Sequence, residues 1–203
     1  MSYKFSSLLL ASASPRRREI LTQIGVQFSV HEHTVDEAHI AGESPEVYVQ
    51  RLALEKALSV QSQQPLAQLP ILGSDTIVVC AGQILGKPKD KADAQRMLRL
   101  LSGQQHQVFS AVAMCLGEQN ETVLARTDVS FKSLSEQEIE AYWQSEEPLG
   151  KAGAYAIQGL GGMFVTAIAG SYSGVVGLPI YETSQLLNKF GVQTGLHKEG
   201  RNE

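Results

Sequence analysis

The pattern of apolar and polar residues alternates between strand-length runs and stripes at helical spacing. Continuous or alternating apolar runs predict strands, whereas apolar residues three and four positions apart predict amphipathic helices. The predicted strands cover residues 8–10, 26–31, 71–80, 83–85, 106–116, 122–131, 163–168 and 172–176. The predicted helices begin after Ser14, Ser44, Asp90, Ser135 and Pro179. Because helices and strands alternate first and hairpins dominate later, we expect an α/β fold with a mixed sheet.

The first predicted helix carries three arginines where acidic residues are usual. Ser14 suits the N-cap, and Pro15 suits the first helical position, where its missing N–H costs nothing. Arg16, Arg17 and Arg18 then fall in the first turn, where the macrodipole disfavours each cation by roughly 0.3–1 kcal/mol. A bound anion, held by backbone N–H groups, the hydroxyls of nearby serines and guanidinium groups, explains them. A solvated basic helix start explains them equally well, so both interpretations stay open at this point.

Charged residues also interrupt two apolar patterns farther along the chain. Lys56 falls inside the apolar stripe of the second helix, where it either extends to water or reaches an anion in a cleft. Asp75 lies within the apolar run 71–80, where a buried charge is costly without a partner. It therefore faces a polar cleft, a metal or a cation, or else it caps a turn at the end of a strand. Pro88 favours an extended conformation at Lys87, which presents that side chain at a defined edge.

Two polar or glycine-rich segments are predicted to lie outside regular structure. Residues 34–42 form a polar loop that contains the acidic pair Asp36 and Glu37. Residues 146–162 form a glycine-rich loop segment, and 159–162 superficially resemble a dinucleotide fingerprint. A strand rather than a helix follows, so we reject a dinucleotide site. The glycines instead allow close backbone approach to a ligand, with Gln158 offering an amide donor and acceptor.

Composition limits the classes of partner. The chain has 203 residues and a formal net charge of −4, which argues against nucleic acid as the main partner. Only two cysteines occur, Cys80 and Cys115, both in apolar strand-like runs, so we expect two buried reduced thiols. No apolar run is long enough for a membrane span or a signal peptide, so we expect a cytoplasmic protein. We expect one domain over residues 1–193, followed by a polar, disordered tail at 194–203.

The charged features together suit one chemistry. An arginine-rich helix start, Lys56, Asp75 and Lys87 would match a polyphosphate bound with a divalent metal. Cations neutralise phosphate oxygens, and a carboxylate holds the metal or activates water. Spacing alone does not bring these residues together, so the residues by themselves indicate only a phosphate enzyme.

Four motifs in order along the chain resemble the Maf family of nucleoside triphosphate pyrophosphatases. They are LASASPRR at 10–17, GSDT at 73–76, GKP at 86–88 and KAGAYAIQG at 151–159. The resemblance covers residues 8–187. It implies the Maf/inosine-triphosphatase-like fold, an elongated α/β structure with a mixed twisted sheet and two lobes that flank a cleft. It also implies hydrolysis of a nucleoside triphosphate to the monophosphate and pyrophosphate with Mg²⁺ or Mn²⁺ in the cytoplasm, and it allows a homodimer.

Within the family the chain is similar to the branch that acts on dTTP and UTP, rather than to the branch that acts on 7-methyl-GTP. The resemblance implies roles for nine residues. Asp75 matches the proton acceptor; Arg16, Thr76 and Gln158 match positions of substrate specificity; Ser12, Arg17, Lys56 and Lys87 match the phosphate site; and Glu37 joins Asp75 at the metal. Whether Asp75 acts as base, metal ligand or both stays open.

Two other functions are compatible with the same motifs. One is a nucleotide-binding regulator of cell division or septum formation that does not require hydrolysis. The other is a purine-directed housekeeping pyrophosphatase of the inosine triphosphate type. Release of pyrophosphate excludes the first, and a preference for pyrimidine nucleotides excludes the second.

Overall fold

Seven strands form one mixed sheet in this computed structural model, which describes residues 4–32, 34–64 and 68–197. The strands are β1 (Ser7–Ala11), β2 (Gln27–Val30), β3 (Ile71–Cys80), β4 (Gln83–Leu85), β5 (Gln105–Leu116), β6 (Gln119–Phe131) and β7 (Val165–Ala169). Their order is β2-β1-β3-β5-β6-β7, and β4 pairs with β3 beside this path. Strand β1 is parallel to β2 and β3, whereas β4 and β7 pair antiparallel with β3 and β6. The predicted α/β fold with a mixed sheet is confirmed.

The helices begin close to the predicted caps. Within the described ranges they are α1 (Pro15–Gln23), α2 (Pro45–Gln63), α3 (Lys91–Leu101), α4 (Glu136–Gln144), α5 (Tyr172–Val176) and α6 (Ile180–Lys189), with short 3-10 helices at Ala152–Ala154, Leu160–Phe164 and Gly195–His197. The capping box of α4 forms as predicted. The Ser135 hydroxyl accepts from the Glu138 N–H, and the Glu138 carboxylate accepts from the Ser135 N–H.

The chain forms two compact units. The first contains Met1–Asp75, Ala111–Leu124 and Gly177–Glu203, and the second contains Thr76–Ser110 and Ala125–Val176. Each unit has its own apolar cluster. One cluster in the first unit consists of Leu9, Ala11, Ala57, Val60, Ile71 and Cys115. One cluster in the second unit includes Met97, Leu98, Phe131, Ile139, Tyr142, Tyr155 and Phe164.

Helix α2 lies close to strand β3 because residue 73 is glycine. A Cβ atom at Gly73 would lie 2.2 Å from the Ala53 carbonyl oxygen and 2.8 Å from the Ala57 nitrogen. Any side chain there would push the helix away from the strand. The close approach brings Lys56, on the same face of α2, to Asp75, which lies two residues farther along the strand.

Residues 172–176 form helix α5, so the strand predicted there is wrong. The Ser171 hydroxyl accepts from the Gly174 N–H at 3.0 Å, and the Ser171 carbonyl accepts from the Val175 N–H at 3.1 Å. This local capping overrides the strand preference of the aromatic and valine residues in the segment.

The predicted start of α1 is confirmed, but the predicted capping role of the Ser14 hydroxyl is wrong. Ser14 occupies the N-cap with extended backbone, but its side chain makes no capping hydrogen bond. Instead, the Ser14 N–H donates to Ser12 Oγ at 3.2 Å. Ser12 is therefore the serine whose side chain organises this turn.

Three smaller expectations concern the cysteines, membrane spans and the tail. Cys80 and Cys115 are buried and free, as predicted. Among the described residues, no helix is long and apolar enough to cross a membrane. The first residues of the predicted tail are ordered, since Thr194 is buried and the Gly195 N–H donates to the Ile24 carbonyl at 2.8 Å. Residues 198–203 lie outside the described residues, so disorder of the tail stays a prediction.

Candidate active site

Two carboxylates of the first unit contact the ammonium group of Lys56. Lys56 Nζ lies 2.7 Å from Asp75 Oδ1 and 2.7 Å from Glu37 Oε1. Lys56 and Asp75 are buried, whereas 44% of the Glu37 side chain is exposed. Lys56 therefore does not extend to water from its apolar stripe, and Asp75 does not merely cap a turn. The structure places the predicted phosphate ligand Lys56 between the two predicted metal ligands.

The Arg17 side chain turns from α1 into the first unit. Its Nε donates to the Gly177 carbonyl at 2.9 Å, and its Nη1 donates to Ser12 Oγ at 3.1 Å. Burial lowers the pKa of Arg17, and the negative charge of Asp75 opposes this change. Arg17 is thus held by fixed partners within the electrostatic reach of Asp75 and is not a solvated arginine.

The other two arginines of the first turn differ from Arg17 and from each other. Arg16 is partly buried, and its Nε is buried with no hydrogen-bond partner among the described residues. Burial lowers the pKa of Arg16, and the charge of Glu19 opposes the change. Arg18 is exposed, which agrees with the solvated interpretation of that residue. A buried donor without a partner at Arg16 leaves a hydrogen bond that a ligand can complete.

Residues 34–43 form an irregular segment, the Glu37 loop, which α2 holds by two side chains. The Tyr48 hydroxyl donates to the Glu37 carbonyl at 2.7 Å. Arg51 donates to the Ala38 carbonyl at 3.1 Å and makes a two-point ion pair with Glu43 at 2.7 and 2.9 Å. Burial raises the pKa of Tyr48, as do the charges of Asp75 and Glu37. Sequence reasoning missed both anchors, because a tyrosine and an arginine outside the apolar stripe of a helix give no signal of their contacts.

The donor set at Lys56 is compatible with a divalent metal when a phosphate supplies further oxygens. Among the described residues, no group of three or more His, Cys, Asp or Glu side chains could hold a metal ion. The carboxylates of Asp75 and Glu37 share one ammonium, so two hard oxygen donors already converge on a cation. Mg²⁺ commonly binds through one or two carboxylates, substrate phosphates and water. The residues therefore fit a metal that arrives with its substrate.

Three predicted site residues lie in the second unit. Thr76 Oγ1 lies 3.0 Å from Ser110 Oγ, which donates to the Gly174 carbonyl at 2.6 Å. Because the single hydroxyl proton of Ser110 goes to Gly174, Thr76 donates to Ser110. Lys87 and Gln158 are both exposed, so their side chains are accessible to a ligand.

Residues 155–162, the Gln158 segment, are tied to one carboxylate. Glu147 Oε2 accepts from the Leu160 N–H at 2.9 Å, and Glu147 Oε1 accepts from the Gly161 N–H at 2.9 Å. The Tyr142 hydroxyl donates to Glu147 at 2.8 Å and accepts from the Ala156 N–H at 3.0 Å. Sequence reasoning missed Glu147, because the adjacent Glu146 carries the same charge in the same polar turn.

A buried histidine also lies beside this segment. His106 is buried, its Nε2 is 2.9 Å from the Tyr155 hydroxyl, and its ring packs edge-on against Phe131. Burial lowers the pKa of His106 to about 4. The ring is therefore neutral at pH 7 and belongs to the apolar cluster of the second unit.

Comparison with known proteins shows that the chain is similar to the members of one protein family. Residues 7–190 match the family described as "Maf-like protein". The chain is 57% identical over 185 residues to a dTTP/UTP pyrophosphatase of Vibrio cholerae, covering 91% of this chain and 98% of that protein. A dTTP/UTP pyrophosphatase of Pseudoalteromonas atlantica is 54% identical over 187 residues, covering 91% and 97%. The solved structure of the Staphylococcus aureus Ham1 protein superposes with a TM-score of 0.39 at 12% identity, covering 62% of this chain and 71% of that one, which is too distant to bear on function.

Proposed function

The chain belongs to the Maf-like protein family, and we propose that it is a nucleoside triphosphate pyrophosphatase that hydrolyses dTTP and UTP to the nucleoside monophosphate and pyrophosphate. The observation that supports this most strongly is the buried contact of Lys56 with Asp75, near Arg17, in a chain more than half identical to enzymes of that name. A buried cation is costly without an opposite charge nearby, and a bound polyanion such as a triphosphate supplies that charge.

In the proposed reaction, water attacks the α-phosphorus and pyrophosphate leaves. A bond forms between the water oxygen and the α-phosphorus, and the bond from that phosphorus to the bridging oxygen breaks. Asp75 accepts the proton of the attacking water, and its contact with Lys56 holds the carboxylate in a fixed orientation. The proton ends on Asp75 and later passes to solvent.

Cationic and hydroxyl donors stabilise the charge that develops on the phosphates. Lys56 has three N–H donors and spends two on Asp75 and Glu37, which leaves one for a phosphate oxygen. We assign phosphate contacts to Ser12, Arg17 and Lys87 as well. Loss of one well-placed donor of this kind typically costs about 3–4 kcal/mol of transition-state stabilisation.

Asp75 and Glu37 would hold Mg²⁺ or Mn²⁺ together with the substrate phosphates. When bound, such a cation withdraws charge from phosphate oxygens and makes water more acidic. Calorimetric titration with Mn²⁺, in the presence and absence of a non-hydrolysable nucleotide, tests whether the ion arrives with the substrate.

We assign discrimination among bases to Arg16, Thr76 and Gln158. The Gln158 amide offers one acceptor and two donors, which matches the alternating acceptors and donor on the polar edge of thymine or uracil. The free donor of Arg16 Nε suits an oxygen of the substrate. The proposal also includes a cytoplasmic location and a homodimer, which cell fractionation and sedimentation would test.

A panel of dTTP, UTP, CTP, ITP and 7-methyl-GTP tests the proposed function directly. We expect pyrophosphate release to be fastest with dTTP and UTP. No pyrophosphate release from any of them would indicate a nucleotide-binding regulator instead, and a preference for ITP would contradict the assignment of Gln158.

Replacement of Asp75 tests the mechanism. Asp75→Asn keeps the size of the side chain but removes the base, so we expect turnover to be abolished while circular dichroism and the thermal midpoint show a folded protein. Normal turnover in this variant would overturn the role of Asp75.

A further inference from the structure

Gln158 lies between two backbone positions that are fixed by hydrogen bonds. Two residues before it, the Ala156 N–H donates to the buried Tyr142 hydroxyl at 3.0 Å. Two residues after it, the Leu160 N–H donates to Glu147 Oε2 at 2.9 Å. The Gln158 side chain is exposed, so these backbone contacts rather than side-chain packing determine the position from which its amide extends.

Glu147 is the point at which these contacts converge. Its carboxylate accepts from the N–H groups of Leu160 and Gly161 and from the Tyr142 hydroxyl, all between 2.8 and 2.9 Å. Burial alone would raise the pKa of Glu147, but these three donors and Lys151 hold it below its usual value. The group is therefore an ionised acceptor for three donors, which makes each bond stronger than a neutral one.

The glycines of this segment leave room for that contact. A Cβ atom at Gly159 would lie 2.2 Å from Glu147 Oε2, and one at Gly161 would lie 2.7 Å from the Tyr142 hydroxyl. Neither position has the positive φ that would itself require glycine. The absence of side chains here is thus explained by the approach of Glu147 and Tyr142 to the backbone.

We propose that Glu147, together with Tyr142, is a positioning residue that places the Gln158 amide and thereby determines the preference for a pyrimidine base. The inference rests on the proposed function, since it requires that Gln158 contacts the base. Glu147 acts through the backbone on either side of Gln158, and a shift of about 1 Å at such a position is enough to cost roughly 100-fold in rate.

Glu147→Gln tests this proposal, with Glu146→Gln as the matched control. The amide replaces one acceptor oxygen by an NH₂ group that faces a backbone or hydroxyl donor, so at least one of the three bonds is lost. We expect the ratio of kcat/KM for UTP to kcat/KM for ITP to fall at least about tenfold. Hypoxanthine carries the same N–H and C=O pair on a larger ring, so a placement of Gln158 that suits uracil does not suit ITP. The control removes the exposed neighbouring carboxylate, and we expect it to keep the wild-type ratio.

A purely structural role would give a different result. In that case UTP and ITP hydrolysis would fall by the same factor along with the thermal midpoint, the ratio would stay constant, and the proposal would be overturned. If Glu147→Gln does not fold, Tyr142→Phe decides, since it keeps the ring against Phe164 and removes only the hydroxyl that links Ala156 to Glu147. Wild-type protein that releases no pyrophosphate from UTP would overturn the proposed function itself, a failure that is seen before any variant is compared.

Discussion

The Glu37 loop and the Gln158 segment both carry a proposed site residue on irregular backbone, yet they are anchored by different means. The Glu37 loop is held by Tyr48 and Arg51, which reach backbone carbonyls in exposed hydrogen bonds. The Gln158 segment is held by Tyr142, which is buried, and by Glu147, which accepts backbone N–H groups.

The difference lies in what happens when an anchor is lost. A carbonyl of the Glu37 loop that loses its donor becomes hydrated, so the cost to stability is small. The Ala156 N–H is buried and has no access to water, so loss of its acceptor leaves it unpaired. We therefore expect changes at the first region to alter site geometry with little effect on folding, and changes at the second to alter both.

A fall in pH should lower the free energy of unfolding more than any of the substitutions predicted below. The pKa of His106 is about 4 in the folded chain and about 6.5 when exposed, because burial disfavours the charged ring. As pH falls from 6.5 towards 4, the unfolded chain takes up this proton before the folded chain does. The free energy of unfolding should therefore fall by roughly 3 kcal/mol over that range from this group.

Urea unfolding at several pH values measures this effect, and His106→Gln provides the comparison. The variant should be less stable at pH 7 but should lose that part of the pH dependence. An unchanged pH dependence would show that the folded chain does not keep the ring neutral.

Matched tyrosine substitutions compare the two anchors directly. Tyr142→Phe leaves the buried Ala156 N–H without an acceptor, so we expect a loss of about 2 kcal/mol in the free energy of unfolding. Tyr48→Phe lets the Glu37 carbonyl bind water, so we expect a loss of about 0.5 kcal/mol. Urea midpoints at constant m-value measure both, and equal losses would remove the distinction between the regions.

The sequence predicts the regular elements and the charged residues that conflict with them. Lys56 and Asp75 were identifiable because each is charged within an apolar pattern, and the structure shows that each satisfies the other. Glu147 was not identifiable, because the adjacent Glu146 lies in the same polar turn. What distinguishes Glu147 is its contact with the backbone N–H of Leu160, which the sequence does not reveal. Helix α5 was missed because a serine cap outweighs strand preference over so short a segment.

Arg51→Gln has the smallest expected effect of these changes. It tests the position of Glu37 separately from the stability of the fold. The substitution removes the ion pair with Glu43 and weakens the hold on the Ala38 carbonyl, next to Glu37. We expect the Mn²⁺ concentration for half-maximal binding, measured calorimetrically with a non-hydrolysable nucleotide, to rise roughly 2-fold to 10-fold. The thermal midpoint should change little, since the freed carbonyl gains water.

Arg99→Gln is the matched control because Arg99 makes the same two-point ion pair, with Glu136 at 2.8 and 2.7 Å, but holds no loop. It should leave Mn²⁺ binding unchanged, whereas Arg51→Gln should weaken it. If both variants bind Mn²⁺ as the wild type does, the anchor on the Glu37 loop has no part in holding Glu37 at the metal. If both weaken it equally, the effect comes from net charge, because only Arg51 lies beside the loop.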